Sequence, residues 1–537
     1  MDKLRLFALP LIAAALITGC SGVKTEAPES AKEESSSSAV LSSEAEESEP
    51  EGSYSAGEGI ALITIDTLST DPDVMDFVEK PVARHVAEDI ASWTPGYKIP
   101  PEPYYEDCTV SVTDESGALL IGSASAQVKV RGNWTTTYDK KPLRIKFTEK
   151  QSMLGLNDGA EQKNWVLLAS YKDGSILRDK AALQTAGEIL GEDGLYSADS
   201  RLVEVVINSE YWGVYLLTEL QQTGSSRVDI TEPEKGYTGT DIGYFLEYDG
   251  YFANEDPLHS FHVSYADNSP IKPFDGAEGG NGVYCLSPEK RDLGFTIKSD
   301  IYSQEQHDFI AGFVENAYRI MYEAAYNDKA YVFDDGFSQI SLSDELTPQQ
   351  AVEKAVNVRS LADMYIISEL TCDADIYWSS FFMDADFGEG GDRRLTFEAP
   401  WDFDSGLGNK PRCADGTGFY AASLVPDVND TYMTVNPWLA VLMNEEWFRQ
   451  IIREKWTAAF DSGTFSRAQD MVLADAEKYS AAFERNYLKW NNLADKSAFS
   501  GELTKKAAHC LTHRQAAEYL AEWLGTRVDF LNDYWHE

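Results

Sequence analysis

The stretch Gln127-Val128-Lys129-Val130-Arg131-Gly132-Asn133-Trp134-Thr135-Thr136-Thr137-Tyr138-Asp139-Lys140-Lys141-Pro142-Leu143-Arg144-Ile145-Lys146-Phe147 holds two short runs in which every second residue is apolar. Val128 and Val130 alternate with Lys129 and Arg131, and Leu143, Ile145 and Phe147 alternate with Arg144 and Lys146. Successive side chains of a strand point to opposite faces, so each run reads as a strand with one face for a core and one face of cations. The connection, Asn133 to Lys141, is polar and long for a tight hairpin. Alternating Lys and Arg on a strand usually marks a solvated face. In a chain with 89 Asp and Glu against 45 Lys and Arg, four clustered cations also fit a phosphate-holding surface, with Lys146 as a point charge, Arg131 as a fork and Gly132-Asn133-Trp134-Thr135 as the candidate phosphate loop.

Outward from this hairpin, period-two alternation extends from about residue 59 to 251, with a helix expected over 177–189, a second hairpin over 202–207 and 211–219, and a strand over 243–249. After about residue 303 the period becomes helical, with Phe309, Ile310, Phe313, Val314, Ala317, Ile320 and Met321 on one stripe. Thr347-Pro348 is an N-cap and first-turn pair. Helical patterning over 361–370 runs into an acidic cluster, residues 380–383 and 395–397 read as short strands, and 447–460 and 516–531 read as helices. The fold class is α+β, with a β-rich part over 58–300 and a mainly helical part over 301–537.

Two acidic clusters carry the chemistry: Cys372-Asp373-Ala374-Asp375-Ile376-Tyr377-Trp378-Ser379-Ser380 and Pro400-Trp401-Asp402-Phe403-Asp404-Ser405-Gly406-Leu407-Gly408. Magnesium takes oxygen ligands and keeps several waters, so one or two carboxylates beside a triphosphate suffice. Asp402, between two aromatic residues and before a glycine turn, suits that task; the alternative is that Asp402 or Asp404 caps the turn. In protein kinases a catalytic-loop Asp takes the acceptor proton and an Asn five positions later binds metal. Asp375 and Ser380 keep that spacing with a hydroxyl in place of the amide, and Asp373 is the competing base. Asp384-Ala385-Asp386-Phe387-Gly388-Glu389 starts like a calcium loop but fails the EF-hand pattern, with glycine at the fifth position.

The formal net charge of −44 opposes binding to nucleic acid or to acidic lipid surfaces. At the N-terminus, Lys3 and Arg5 precede an apolar run ending in Leu16-Ile17-Thr18-Gly19-Cys20, which reads as an export signal over residues 1–20. Small residues before Cys20 resemble a lipobox, so a lipid on Cys20 and a membrane-anchored, extracytoplasmic protein are expected; the alternative is an ordinary secretory signal in which Cys20 has no role. Residues 21–57, rich in Ser and Glu, read as a disordered acidic tether. The remaining cysteines, Cys108, Cys285, Cys372, Cys413 and Cys510, are widely spaced and leave room for one disulfide at most.

Several spaced motifs carry a resemblance: Val130-Arg131-Gly132-Asn133; Lys140 to Phe147; Asn164-Trp165-Val166-Leu167-Leu168 followed by Asp173 and Leu177-Arg178; Asn208 with Tyr211-Trp212-Gly213-Val214-Tyr215 and Glu219; Asp375 with Ser379; and Pro400-Trp401-Asp402-Phe403-Asp404. In these the chain resembles the spore-coat protein H (CotH) kinase family. The resemblance implies an atypical, two-lobed protein-kinase-like fold that uses ATP and Mg2+ or Mn2+ to phosphorylate Ser or Thr of secreted or surface proteins. It implies that Asp402 holds metal as the DFG Asp does, that Asp375 is the catalytic-loop Asp, that Lys146 and Arg131 contact phosphates and that Glu219 meets adenine and ribose, while Ser380 stands where the family of kinases has a metal-binding Asn. The rival expectation is a non-catalytic surface module that binds carbohydrate or protein, with or without calcium.

Overall fold

The computed structural model describes residues 56–70, 74–79, 83–100, 105–263, 270–276, 293–411, 414–426 and 433–537. Cys20, the export run, the tether up to residue 55, Cys285 and Cys413 lie outside them.

Seven strands close into a barrel in the order β1-β2-β3-β4-β5-β7-β6. They are β1 (Ala61–Thr67), β2 (Glu106–Thr113), β3 (Leu119–Val130), β4 (Leu143–Gln151), β5 (Gln162–Leu168), β6 (Ser200–Ile207) and β7 (Glu210–Glu219). Neighbours run antiparallel except at the closing seam, where β1 pairs with β6 in parallel, so no strand edge is left open. The hairpin alternation sets the inside: Val128, Val130, Leu143, Ile145 and Phe147 join Ile63, Val110, Trp165, Val205 and Leu217 in the barrel core. Lys129, Arg131 and Arg144 are half-buried on the outer wall and Lys146 is exposed there. The wall formed by β5 to β7 is different, since Val166, Leu202, Val214 and Leu216 point outward into a second, larger core. That double burial explains why Val214 to Leu217 reads as a continuous apolar run.

The larger core is helical and spans helices Arg178–Gly191, Gln304–Asn327, Val358–Thr371, Glu446–Asp461 and His513–Trp535. Each overlaps a helix expected from the sequence, with ends that differ by a few residues; Ser303 caps Gln304–Asn327 and Thr347 caps Pro348–Ala355, both with reciprocal capping boxes. A four-stranded sheet, β13-β8-β10-β9, joins β8 (Gly243–Asp249), β9 (Ser260–Phe261), β10 (Gly294–Ile297) and β13 (Phe381–Asp386), with a separate ribbon of β11 (Tyr331–Phe333) and β12 (Ile340–Leu342). Strands from both sides of residue 300 thus share one sheet, and Ala56–Glu537 packs as one compact unit. The strand expected at 395–397 is reduced to single bridges, Val356 to Leu395 and Asp384 to Thr396. The architecture is mixed α+β.

Candidate active site

Helix Val358–Thr371 ends at Cys372, which takes the left-handed conformation and returns its N–H to the carbonyls of Glu369 and Ser368. The chain is thereby turned so that Asp373 and Asp375 follow the helix end. The second arm arrives through Ala399 and Asp402, both with positive φ; Asp402 sits at 69°, a conformation that costs about 1–3 kcal/mol in a non-glycine residue and concentrates at functional sites. Leu407 N–H donates to Thr371 O at 2.6 Å, which stitches the two arms together. Gly406 permits this approach, because a Cβ there would lie 2.8 Å from Thr371 O.

The result is a group of three carboxylates, Asp375, Asp402 and Asp404, each with an oxygen within 4.8 Å of the others. Asp402 and Asp375 are half-buried and Asp404 is buried. Crowding in low dielectric disfavours ionisation, and the Asp402 carboxyl is pushed up to about 7 by burial first, then by Asp404 and Asp375, with Lys172 and Arg131 opposing. Asp179, in the first turn of helix Arg178–Gly191, accepts the Phe403 N–H at 3.0 Å and the Ser170 hydroxyl at 3.2 Å, so it fixes the backbone between the two aspartates. Burial, with Asp404 and Asp402 close by, raises its carboxyl well above the usual range.

Three cations face the group. Lys172 Nζ lies 3.1 Å from Asp404 Oδ1, 2.6 Å from Ser405 Oγ and 3.8 Å from Glu502 Oε2. Lys410 Nζ lies 3.8 Å from Asp375 Oδ1. Arg131, the residue that follows β3, stacks its guanidinium over Trp401 at 5.4 Å from the ring centroid. Burial lowers the Arg131 pKa, and Asp402 and Glu247 counter this. Gly132 turns the chain after it with φ 97°, where a Cβ would meet Thr135 Oγ1 at 2.5 Å.

The structure therefore brings Asp375, Asp402 and Arg131 together and separates other expected members. Lys146 pairs with Gln127, four residues back along β3 from Arg131, or about 13 Å of strand. It lines a surface groove of about 290 Å³ with Lys163 and Gln127. Glu219 is sealed in the barrel wall, 3.3 Å from Arg227, and accepts from Asn157 Nδ2 and the Asp199 N–H. Ser380 has φ 61° and gives its N–H to Glu247 Oε1 at 3.1 Å. Asp373 is buried and accepts the Asp375 N–H at 2.9 Å. Asp386, from the calcium-like stretch, is occupied by Thr231 and by the Gly388 N–H. Reading the sequence did not single out Lys172, Lys410, Asp179 or Glu502; Lys172 meets Ser405 across 233 positions, and no local spacing marks such a pair.

Paired acidic arms with a guanidinium and two ammonium groups beside them can hold a cation and phosphate oxygens together. The family model for CotH kinase protein matches residues 128–531. The chain belongs to the CotH kinase family. The match starts at the inward-facing Val128 of β3 and runs through both acidic arms into the last helix, so every residue of the site lies inside it. No curated protein matches the chain. Membership makes this a kinase-like protein.

Proposed function

We propose that the chain is an extracytoplasmic, ATP-dependent protein kinase of the CotH type that phosphorylates Ser or Thr of secreted or surface proteins, anchored to the membrane by a lipid on Cys20. The observation that carries this reading is the convergence of Asp375, Asp402 and Asp404 opposite Arg131. In this reading the barrel is the nucleotide-binding lobe of a two-lobed kinase-like fold, and the helical part that presents Asp375 is its catalytic lobe.

The carboxylates fit a hard divalent cation. They are all-oxygen donors, and among the described residues no N–H or O–H donates to the Asp402 carboxylate, which leaves it available. Asp402 and Asp404 would hold Mg2+ or Mn2+, with the Ser380 hydroxyl in the place of the kinase amide. Bound there, the metal supplies positive charge that offsets the triphosphate. Asp375 takes the proton of the acceptor hydroxyl as its oxygen attacks the γ-phosphorus. Arg131 offers a planar fork to phosphate oxygens, held in orientation by Trp401. Lys129 and Lys146, farther along the ribbon, extend the positive surface. A role for Glu219 toward adenine or ribose requires its ion pair with Arg227 to open.

The test uses residues 58–537 with γ-labelled ATP and a pool of Ser- and Thr-containing peptides. Label should enter peptide or protein only with Mg2+ or Mn2+, and ATP with the metal should raise the melting temperature. Absence of both effects, together with metal-independent or calcium-dependent glycan binding, would replace this reading with the surface-module one.

A further inference from the structure

The three cations at the carboxylate group are not equivalent. Lys172 is enclosed: its ammonium donates to Ser405 at 2.6 Å, pairs with Asp404 at 3.1 Å and has Glu502 at 3.8 Å, and its side chain is only 6% exposed. It holds the site together from behind. Arg131 reaches the group from the barrel side, with its plane held against Trp401. Lys410 is different in each respect. Its side chain is 24% exposed, and among the described residues its one ionic contact is the long 3.8 Å approach to Asp375, so most of its donor capacity toward them is unspent.

Its backbone is nevertheless fixed. Lys410 N–H donates to Ser405 O at 3.2 Å, while the preceding Asn409 is buried and clamped by its side chain to Asp404 O and Lys172 O. Thr504 N–H closes on Asn409 O from the C-terminal side at 2.7 Å. The loop that carries the metal-site aspartates therefore ends in a rigidly based, solvent-reaching ammonium beside the residue that takes the acceptor proton.

We propose that Lys410 is a catalytic residue whose ammonium contacts the transferring phosphoryl group. The proposal rests on the kinase reading above. As the acceptor oxygen bonds to the γ-phosphorus and its proton passes to Asp375, the bond from that phosphorus to the β,γ-bridging oxygen breaks, and ADP departs with the electron pair. Charge spreads over the equatorial oxygens meanwhile, and a cation aimed there stabilises the transition state more than bound ATP.

Lys410→Met and Lys410→Arg decide it, read by label transfer and by the thermal shift with ATP and Mg2+. The Met variant should keep the wild-type thermal shift and KM for ATP while kcat falls on the order of 100-fold, the cost of deleting one such donor; the Arg variant should recover part of the loss. A Met variant within about threefold of wild type would overturn the assignment while leaving the kinase reading intact. Loss of the ATP-dependent shift would overturn it in favour of a nucleotide-binding role. A wild-type protein that binds ATP without transferring label to peptide or water would overturn the kinase reading and this assignment with it.

Discussion

Two groups of crowded carboxyls lie four residues apart in the chain and solve the same electrostatic problem differently. Glu398 and Asp384 are both buried, and among the described residues neither is paired with a cation; Asp384 Oδ2 lacks a hydrogen-bond partner, and Glu398 Oε2 accepts the Tyr196 N–H. Burial, and then Glu398, raises the Asp384 carboxyl well above its ordinary value, and burial pushes Glu398 up to about 7. The group at Asp402 is more open and is neutralised from outside, by Lys172 at Asp404 and Lys410 at Asp375. Burial favours the protonated form of the first group. The second is balanced by neighbouring cations, with three carboxylates close enough to share one ion.

The sharpest way to break this comparison is Asp402→Asn. Label transfer from ATP should fall by at least about 100-fold, and the Mg2+-dependent thermal shift should vanish. The metal-free melting temperature should hold or rise, since one of three crowded charges is gone. A folded variant with unchanged labelling would remove Asp402 from the site.

Lys172→Met should have the largest effect on stability. It leaves Asp404 and Glu502 without their buried cation, and breaking a buried pair in this way costs about 3–5 kcal/mol. Urea titration measures the loss. Because the lost charge is positive, Mg2+ should restore part of it in the variant and less in the wild type. A change under about 1 kcal/mol would show that the cations do not relieve the crowding.

These residues also show where the sequence was legible. The barrel wall could be read at Val128 to Phe147 because one face is fully buried, and period two is then forced on every residue. Asp375 and Asp402 were readable because each sits in a local motif at a helix end or a turn. Leu395 to Phe397 misled because its alternation serves single bridges between packed segments. Lys146 and Arg131 look alike in the alternating pattern, and only the position of Trp401 against the end of β3 distinguishes them. Lys172, Lys410 and Glu502 acquire meaning from tertiary closure: Glu502 reaches both Lys172 and, 364 positions away, Tyr138. Such pairs leave no periodic trace.

The buried pair of Asp384 and Glu398 gives the next effect, and its sign is fixed. The ordinary values are 3.8 for Asp384 and 4.5 for Glu398, and both are raised on folding, so the native state binds the proton more tightly than the unfolded chain. Its contribution is complete below those ordinary values and is lost as pH rises through about 7. Asp384→Asn keeps a donor toward Glu398 but cannot titrate. The unfolding free energy of the wild type, minus that of this variant, should therefore decline between pH 5 and pH 8. A flat difference would mean that the pair carries a buried charge after all, and the contrast with the Asp402 group would collapse.

The smallest effect tests how far the cationic rim extends. Tyr138, in the loop that follows Arg131, donates its hydroxyl to Glu502 Oε1 at 2.9 Å, and Glu502 lies 3.8 Å from Lys172. The loop is thus joined to Asp404 through two side chains. Tyr138→Phe should cost about 1 kcal/mol, since Glu502 is partly exposed and water can replace the hydroxyl. Glu502→Gln should weaken the same link, and if the two act in series the double variant should lose less than the sum, with a coupling of at least about 0.5 kcal/mol. Strict additivity would make Tyr138 an ordinary packing residue and confine the rim to Lys172 and Lys410.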